Sequence, residues 1–225
     1  NQVKITTKYL IDSKDLTADV VVTEKLDNGL SVVGNYEIMS SQKVGPTIAD
    51  DIKVSALWSI MFSLLVIFLY ILLRFRKWQF SLGAVSAVFH DVLIVLSIFS
   101  LFYGILPFSL EIDQAFIAAL LTIIGYSLND TVVVFDRIRE HMAIYKKKEF
   151  TSLVNNALNS TLSRTVNTSL TTFFVLFVIF LFGGEVIRGF MFALMVGVIV
   201  GTYSSLFVAS PIMVDTIKKS ETDKK

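Results

Sequence analysis

Residues 115–140 read AFIAALLTIIGYSLNDTVVVFDRIRE. A bilayer core about 30 Å thick needs roughly 20 apolar residues as a helix, and Ala115 to Phe135 meets that length with one carboxylate, Asp130, inside it. The run closes on Asp136-Arg137 and Arg139-Glu140, which reads as solvated anchoring at a membrane boundary. A span of this kind decides the fold class, because similar apolar runs recur along the chain. They extend from Ala56 to Leu73, Ser81 to Tyr103, Thr165 to Phe182 and Ile187 to Val214. The sequence therefore predicts a mainly α, polytopic membrane protein with five transmembrane helices. Of its 225 residues, 54% are hydrophobic and only 17% charged, with a mean hydropathy of +0.68; a soluble domain carries about 25% charged residues.

Basic residues set the orientation. Arg74, Arg76 and Lys77 follow the first span, Arg137, Arg139 and Lys146 to Lys148 the third, and Lys218, Lys219, Lys224 and Lys225 the fifth. These ends are expected on the cytoplasmic side, with 216–225 as a cytoplasmic tail. The opposite loops carry Glu111 with Asp113 and Glu185 with Arg188, and Pro107 and Gly183-Gly184 suit short turns. Residues 1–54 then lie outside, as a remnant of a small α+β domain with a linker at Ser40 to Pro46. Val3-Lys4-Ile5 and Tyr36-Glu37-Ile38 alternate like strands, Asp27-Asn28-Gly29 reads as a turn, and Leu16 to Leu26 suits a helix or a strand. The chain opens on Asn1 without a leader, which reads as a cut inside a longer protein. Within the transmembrane domain, 55–215, the apolar positions Phe150, Leu153, Val154, Ala157, Leu158 and Leu162 share a helical face, with Thr151 as a cap. An amphipathic helix near 150–162 is expected, lying along the inner membrane surface or packed on neighbouring helices.

Charges at membrane depth are expensive, usually face a bundle interior and are functional candidates. Asp130 lies roughly 22 Å below the outer edge of its span, and Arg164 roughly 27 Å below the outer edge of the next, at about 1.5 Å per residue. A pair between them is geometrically open. Tyr126 and Asn129 put hydrogen-bonding groups beside the carboxyl, and Thr165, Asn167, Thr168, Ser169, Thr171 and Thr172 make the first half of the fourth span polar. That stripe suits either a wet crevice or hydroxyls bonded to their own helix. Separating the two charges would favour proton uptake and re-approach would favour release. His90-Asp91, in the middle of the second span, fits a relay or an interhelical hydrogen bond. Gly197 and Gly201 form a small-xxx-small pattern suited to helix packing.

Several chemistries are excluded by the residues themselves. The chain has no cysteine and two histidines, which leaves no thiolate chemistry and little for a metal cluster. No Walker loop, GxSxG elbow or HExxH occurs, so no ATPase activity and no cofactor is expected. A net charge of +1 offers nucleic acid no general attraction.

QKVGPTIADDIK at 42–53, AVFHDV at 87–92, IGYSLNDTVVVFDRIRE at 124–140, LSRTVNTSLTT at 162–172 and FGGEVIRGF at 182–190, in this order, closely resemble SecF or the SecF half of SecDF fusions. The resemblance covers about Gln42 to Pro211. It implies a member of the resistance-nodulation-division superfamily in the bacterial inner membrane, a protein-export subunit without ATPase activity. Its implied partners are SecD, the SecYEG channel, an unfolded polypeptide in transit and a proton or sodium ion moving down its gradient. By motif, Asp130 matches the family's essential aspartate, Arg164 its essential arginine, and Thr168 a position one turn beyond. In that family six spans are implied, of which the first, before the outer domain, has no counterpart here. The family also uses an aspartate on its SecD half. Other functions that fit the same residues are a small-molecule or lipid exporter and a passive membrane scaffold.

Overall fold

The computed structural model describes residues 5, 7, 9–10, 18–32, 36–38 and 46–222. Its helices are α1 (Ala18–Leu30), α2 (Pro46–Phe75), α3 (Trp78–Phe102), α4 (Gln114–Ile144), α5 (Phe150–Phe182), α6 (Glu185–Ser204) and α7 (Ser210–Thr222), with a π-helical turn at Ser205–Ala209 between α6 and α7. The chain divides into one unit up to Ser59 and a second from Ile60 onward.

In the first unit, α1 resolves the choice left open at Leu16 to Leu26 in favour of a helix from Ala18. The turn expected at Asp27-Asn28-Gly29 is instead the last turn of α1, where the Ser31 N–H donates to Asp27 O at 2.9 Å and Ser31 Oγ to Asn28 O at 2.9 Å. Hydrogen bonds to these carbonyls extend the helix through residues that alone favour a turn. Tyr36 to Ile38 is exposed and unpaired as a strand, and no strand occurs among the described residues. The described part of this remnant is helix and coil. Val3-Lys4 and Ser40 to Gly45 lie outside the described residues.

The second unit contains the membrane architecture. Five helical segments are long and apolar enough to cross a bilayer: Leu57–Phe75, Trp78–Phe102, Gln114–Ile144, Phe150–Phe182 and Ile187–Ser220. Two of them run well past the expected ends. α4 continues beyond Phe135 to Ile144, and α5 starts at Phe150, so the separate surface helix at 150–162 is in fact the first part of the fourth span. The reason lies in composition: Phe150 to Phe182 contains no Gly and no Pro, so nothing interrupts the helix. Glu149, not Thr151, caps it, accepting from the N–H groups of Thr151 at 3.1 Å and Ser152 at 2.8 Å. These bonds to its ionised form hold the Glu149 carboxyl below the usual range.

The apolar face of 150–162 packs on other helices rather than lying flat on lipid. Leu153, Val154 and Ala157 are buried in one cluster with Ile138 of α4, Phe80 of α3 and Met213 and Ile217 of α7. Replacing Leu153, 4% exposed, with Asp buries an unpaired charge at a cost of several kcal/mol. The expected outcome is a lower thermal transition and loss of monodisperse protein in detergent. Asn156→Asp, on the exposed side of the same helix, should leave both unchanged. Equal behaviour of the two variants would refute this packing.

At the α2–α3 corner, Phe75 stacks on Phe80 at 5.1 Å and both meet Phe135 of α4 edge-on. The corner turns through Arg76 at φ +58°, a left-handed conformation more usual for glycine. Nearby, Asp136 pairs with Arg74 at 3.0 Å and Arg139 at 2.9 Å. A second cluster toward the other end joins Phe99, Phe116, Leu120 and Ile123 to Ala193 and Leu194. The π-turn precedes Pro211, which has no N–H for the carbonyl of Phe207 and whose ring crowds it. Ser210 Oγ donates to Ser205 O at 3.1 Å, satisfying a carbonyl inside the widened turn.

Candidate functional site

α6 comes unusually close to α4, because Gly197 and Gly201 face it. A Cβ on Gly201 would lie 3.0 Å from Ser127 Cβ, and one on Gly197 would collide with the Ile123 side chain. The small-xxx-small pattern therefore sets the α4–α6 distance. At this contact the bundle buries Asp91, Ser127, Asp130, Thr131, Ser169 and Ser204.

The two carboxylates are served differently. Asp91 of α3, 1% exposed, accepts at Oδ2 from Ser127 Oγ of α4 at 2.5 Å and from Ser204 Oγ of α6 at 2.7 Å. Its Oδ1 lies 3.0 Å from Nδ1 of His90. Asp130 of α4, 4% exposed, has one 3.5 Å contact, from Ser169 Oγ of α5. Ser169 Oγ also lies 2.5 Å from Thr202 Oγ1 of α6, which itself donates to Val198 O at 2.7 Å. A hydroxyl has one proton to give. With Thr202 committed to its own helix, Ser169 donates to Thr202 at the shorter distance, and Asp130 is left weakly satisfied.

Of the residues singled out in the sequence, Tyr126 reaches this group indirectly, through Ser169 at 3.4 Å and Thr172 at 3.5 Å. Neither Tyr126 nor Asn129 bonds Asp130, and Asn129 is exposed. Among the described residues no ion pair links Asp130 to Arg164, which is exposed on α5 but stands near enough to act on the Asp130 carboxyl through space. The periodicity of α5 explains this. Thr161, Thr165 and Ser169 are its buried face, while Ser163, Arg164, Asn167, Thr168 and Thr171 point away from the bundle. Thr168 Oγ1 donates to Arg164 O at 2.9 Å, and Thr171 and Thr172 likewise bond the carbonyl of Thr168. These threonines satisfy themselves within their helix, whereas Thr165 Oγ1 is buried without a partner.

Ser127, Ser204, Ser169 and Thr202 were not singled out as carboxylate ligands from sequence. Their only signal was position, since Ser127 precedes Asp130 by three residues and Ser204 follows Gly201 by three on the helix that the glycines bring close. No group of three or more His, Asp or Glu residues fit to hold a metal occurs among the described residues.

A multi-pass helical bundle with two carboxylates buried at its centre defines a polytopic membrane protein with ionisable groups at bilayer depth. Residues 24–219 match the model of the family described as protein export membrane protein SecD/SecF, C-terminal. The chain belongs to the SecD/SecF protein-export membrane family, and its similarity is to the SecF side. It is 63% identical over 179 residues to the protein translocase subunit SecF of Rhodothermus marinus, covering 80% of this chain and 58% of that protein. It is 42% identical over 190 residues to the SecDF subunit of Brucella abortus, covering 84% of this chain and 24% of that one. A crystal structure of SecDF in its super-membrane-facing form superposes with a TM-score of 0.69 at 36% identity, over 91% of this chain and 27% of that chain. The chain thus spans somewhat over half the length of the SecF relative.

Proposed function

We propose that this chain is the membrane part of a SecF-type translocase subunit that works with SecD and the SecYEG channel, using the proton gradient to promote protein export across the bacterial inner membrane. The observation that carries this reading is Asp130, buried at bilayer depth with one long hydrogen bond, beside an α5 whose outward face is polar. A lipid-facing stripe of Ser163, Arg164, Asn167 and Thr168 would be costly at that depth. A partner subunit covering it, with a carboxylate for Arg164, removes that cost.

In this reading Asp130 takes up and releases the proton. Arg164 and Thr168 belong to the face on which the partner moves, so that approach of the guanidinium favours release. The chain supplies coupling rather than bond chemistry, and acts as an accessory subunit, not an enzyme. The test is gradient-stimulated translocation in vesicles holding the complete partner complex, with Asp130 neutralised.

Orientation is tested separately. Because the chain has no cysteine, single cysteines at Ile112, exposed before α4, and Lys147, exposed before α5, report their sides without background. Ile112→Cys should react with a membrane-impermeant reagent added to intact cells, and Lys147→Cys only after the inner face is opened. The reverse pattern would overturn the cytoplasmic placement of the basic loops.

A further inference from the structure

Asp91 has a donor set that Asp130 lacks, and the proton cycle described above does not use it. We infer that His90 and Asp91 form a second proton-binding site, whose occupancy sets the hold of α3 on α6 at the π-turn. This inference deepens the proposed proton coupling and rests on it for its role in export, though not for the titration itself.

Geometry carries the inference. The carboxyl is almost completely buried, and both hydroxyls that serve it come from other helices, Ser127 from α4 and Ser204 from α6. Two donors on one oxygen and a ring nitrogen at the other suit an ionised carboxylate. A proton on Oδ1 turns Oδ2 into a neutral carbonyl oxygen, a weaker acceptor than a carboxylate oxygen, and so weakens its hold on both serines. Ser204 has an alternative, since its Oγ also lies 3.2 Å from Gly201 O of its own helix. A proton on Asp91 therefore lets Ser204 turn to Gly201 and frees α6 from α3. Ser204 is the last residue before the π-turn, where the helix is already wider than an α-helix and its bonding most easily rearranged.

The His90 side chain is 32% exposed beside the buried Asp91, on a mid-span face of α3 where a partner subunit or a wet crevice, rather than lipid, must deliver the proton. A proton arriving at His90 Nε2 gives an imidazolium. Its Nδ1–H bond then breaks as an O–H bond forms at Asp91 Oδ1, leaving neutral imidazole and neutral carboxyl. Other titratable groups stand further off. α4 brings Asp130, one turn beyond Ser127 and in contact with α5. α6 brings Tyr203, whose ring centre is 6.3 Å from that of His90. On α7, Asp215, Lys218 and Lys219 are exposed, and the π-turn SLFVA has no charged residue.

The experiment is pH-difference infrared spectroscopy of the protein in lipid, together with its partner subunits, between about pH 5 and pH 8. Acidification should produce a protonated-carboxyl band that persists in Asp130→Asn and vanishes in Asp91→Asn. Ser204→Ala, which keeps the carboxyl but removes one donor, should move the frequency and midpoint of that band. Superimposable difference spectra for the parent and Asp91→Asn would overturn the site. Should Asp91→Asn fail to fold, an unchanged band in Ser204→Ala overturns it equally. In gradient-stimulated export, Asp91→Asn at normal assembly should lose most of the stimulation, as for an intramembrane ionisable group in a proton path. If Asp130→Asn exports normally, proton coupling through Asp130 fails, while the infrared band still decides Asp91.

Discussion

Asp130→Asn should abolish gradient-stimulated export while leaving the complex assembled. Asn keeps the size of the side chain and replaces a carboxyl that Ser169 serves only weakly, so the bundle loses little packing. It cannot bind and release a proton, so stimulation by the gradient should be lost. Arg164→Met should also lose stimulation, but by a different route. Arg164 is exposed and makes no ion pair among the described residues, so its removal should not lower the stability of the chain by itself. It should instead weaken association with the partner that covers α5. The double variant should remain inactive. If the two charges were merely a structural pair inside this chain, removing both would restore export along with assembly. Near-normal stimulation in the double variant, normalised to assembled complex, would overturn the proton-switch reading.

The glycine contact should produce a clear loss of stability. Gly201→Leu must place its side chain where Ser127 Cβ stands 3.0 Å and the α4 backbone, at Ser127 Cα, 3.3 Å from a bare Cβ position. Overpacking of this kind costs about 1–3 kcal/mol and occasionally more, and here it also pulls Ser127 and Ser204 away from Asp91. Gly197→Ala should also destabilise, because its Cβ would collide with Cγ1 and Cγ2 of Ile123, the atoms at the branch point of that side chain. The pair Gly197→Ala with Ile123→Ala should then recover part of what the single glycine change loses. Thermal unfolding in detergent reads both effects. A Gly201→Leu protein as stable as the parent would show that the α4–α6 approach is not set by these glycines.

The sequence made five spans legible because bilayer thickness fixes how many apolar residues a helix needs, and hydropathy alone counts them. It did not show where α4 stops and α5 starts. Past the membrane, apolar residues such as Leu153 and Ala157 face other helices, and hydropathy does not distinguish a lipid-resting face from a packed one. Asp91 and Asp130 stood out as charges in apolar runs. Their partners did not, because a serine in a membrane helix bonds its own backbone as readily as a neighbour. Thr168 did the former and Ser127 the latter, and only the approach of α6 decides between them. The same holds for Arg164, whose depth matches Asp130 but whose place on α5 turns it outward.

The π-turn has a consequence for how one helix can serve two surfaces. From Ala193 every fourth residue is buried: Gly197, Gly201, Ser205, Ala209, Met213 and Ile217. In a uniform α-helix each step of four overshoots a full turn by about 40°, so six steps accumulate about 240°. A stripe with that period winds most of the way round and loses its neighbours. The wider turn at Ser205–Ala209 returns part of the accumulated rotation, so that the glycine half and the Met213 half stay in phase with the same bundle. Tightening that turn would rotate one half out of register, which makes angular phase, rather than displacement along the axis, the coordinate by which this helix can change what it touches.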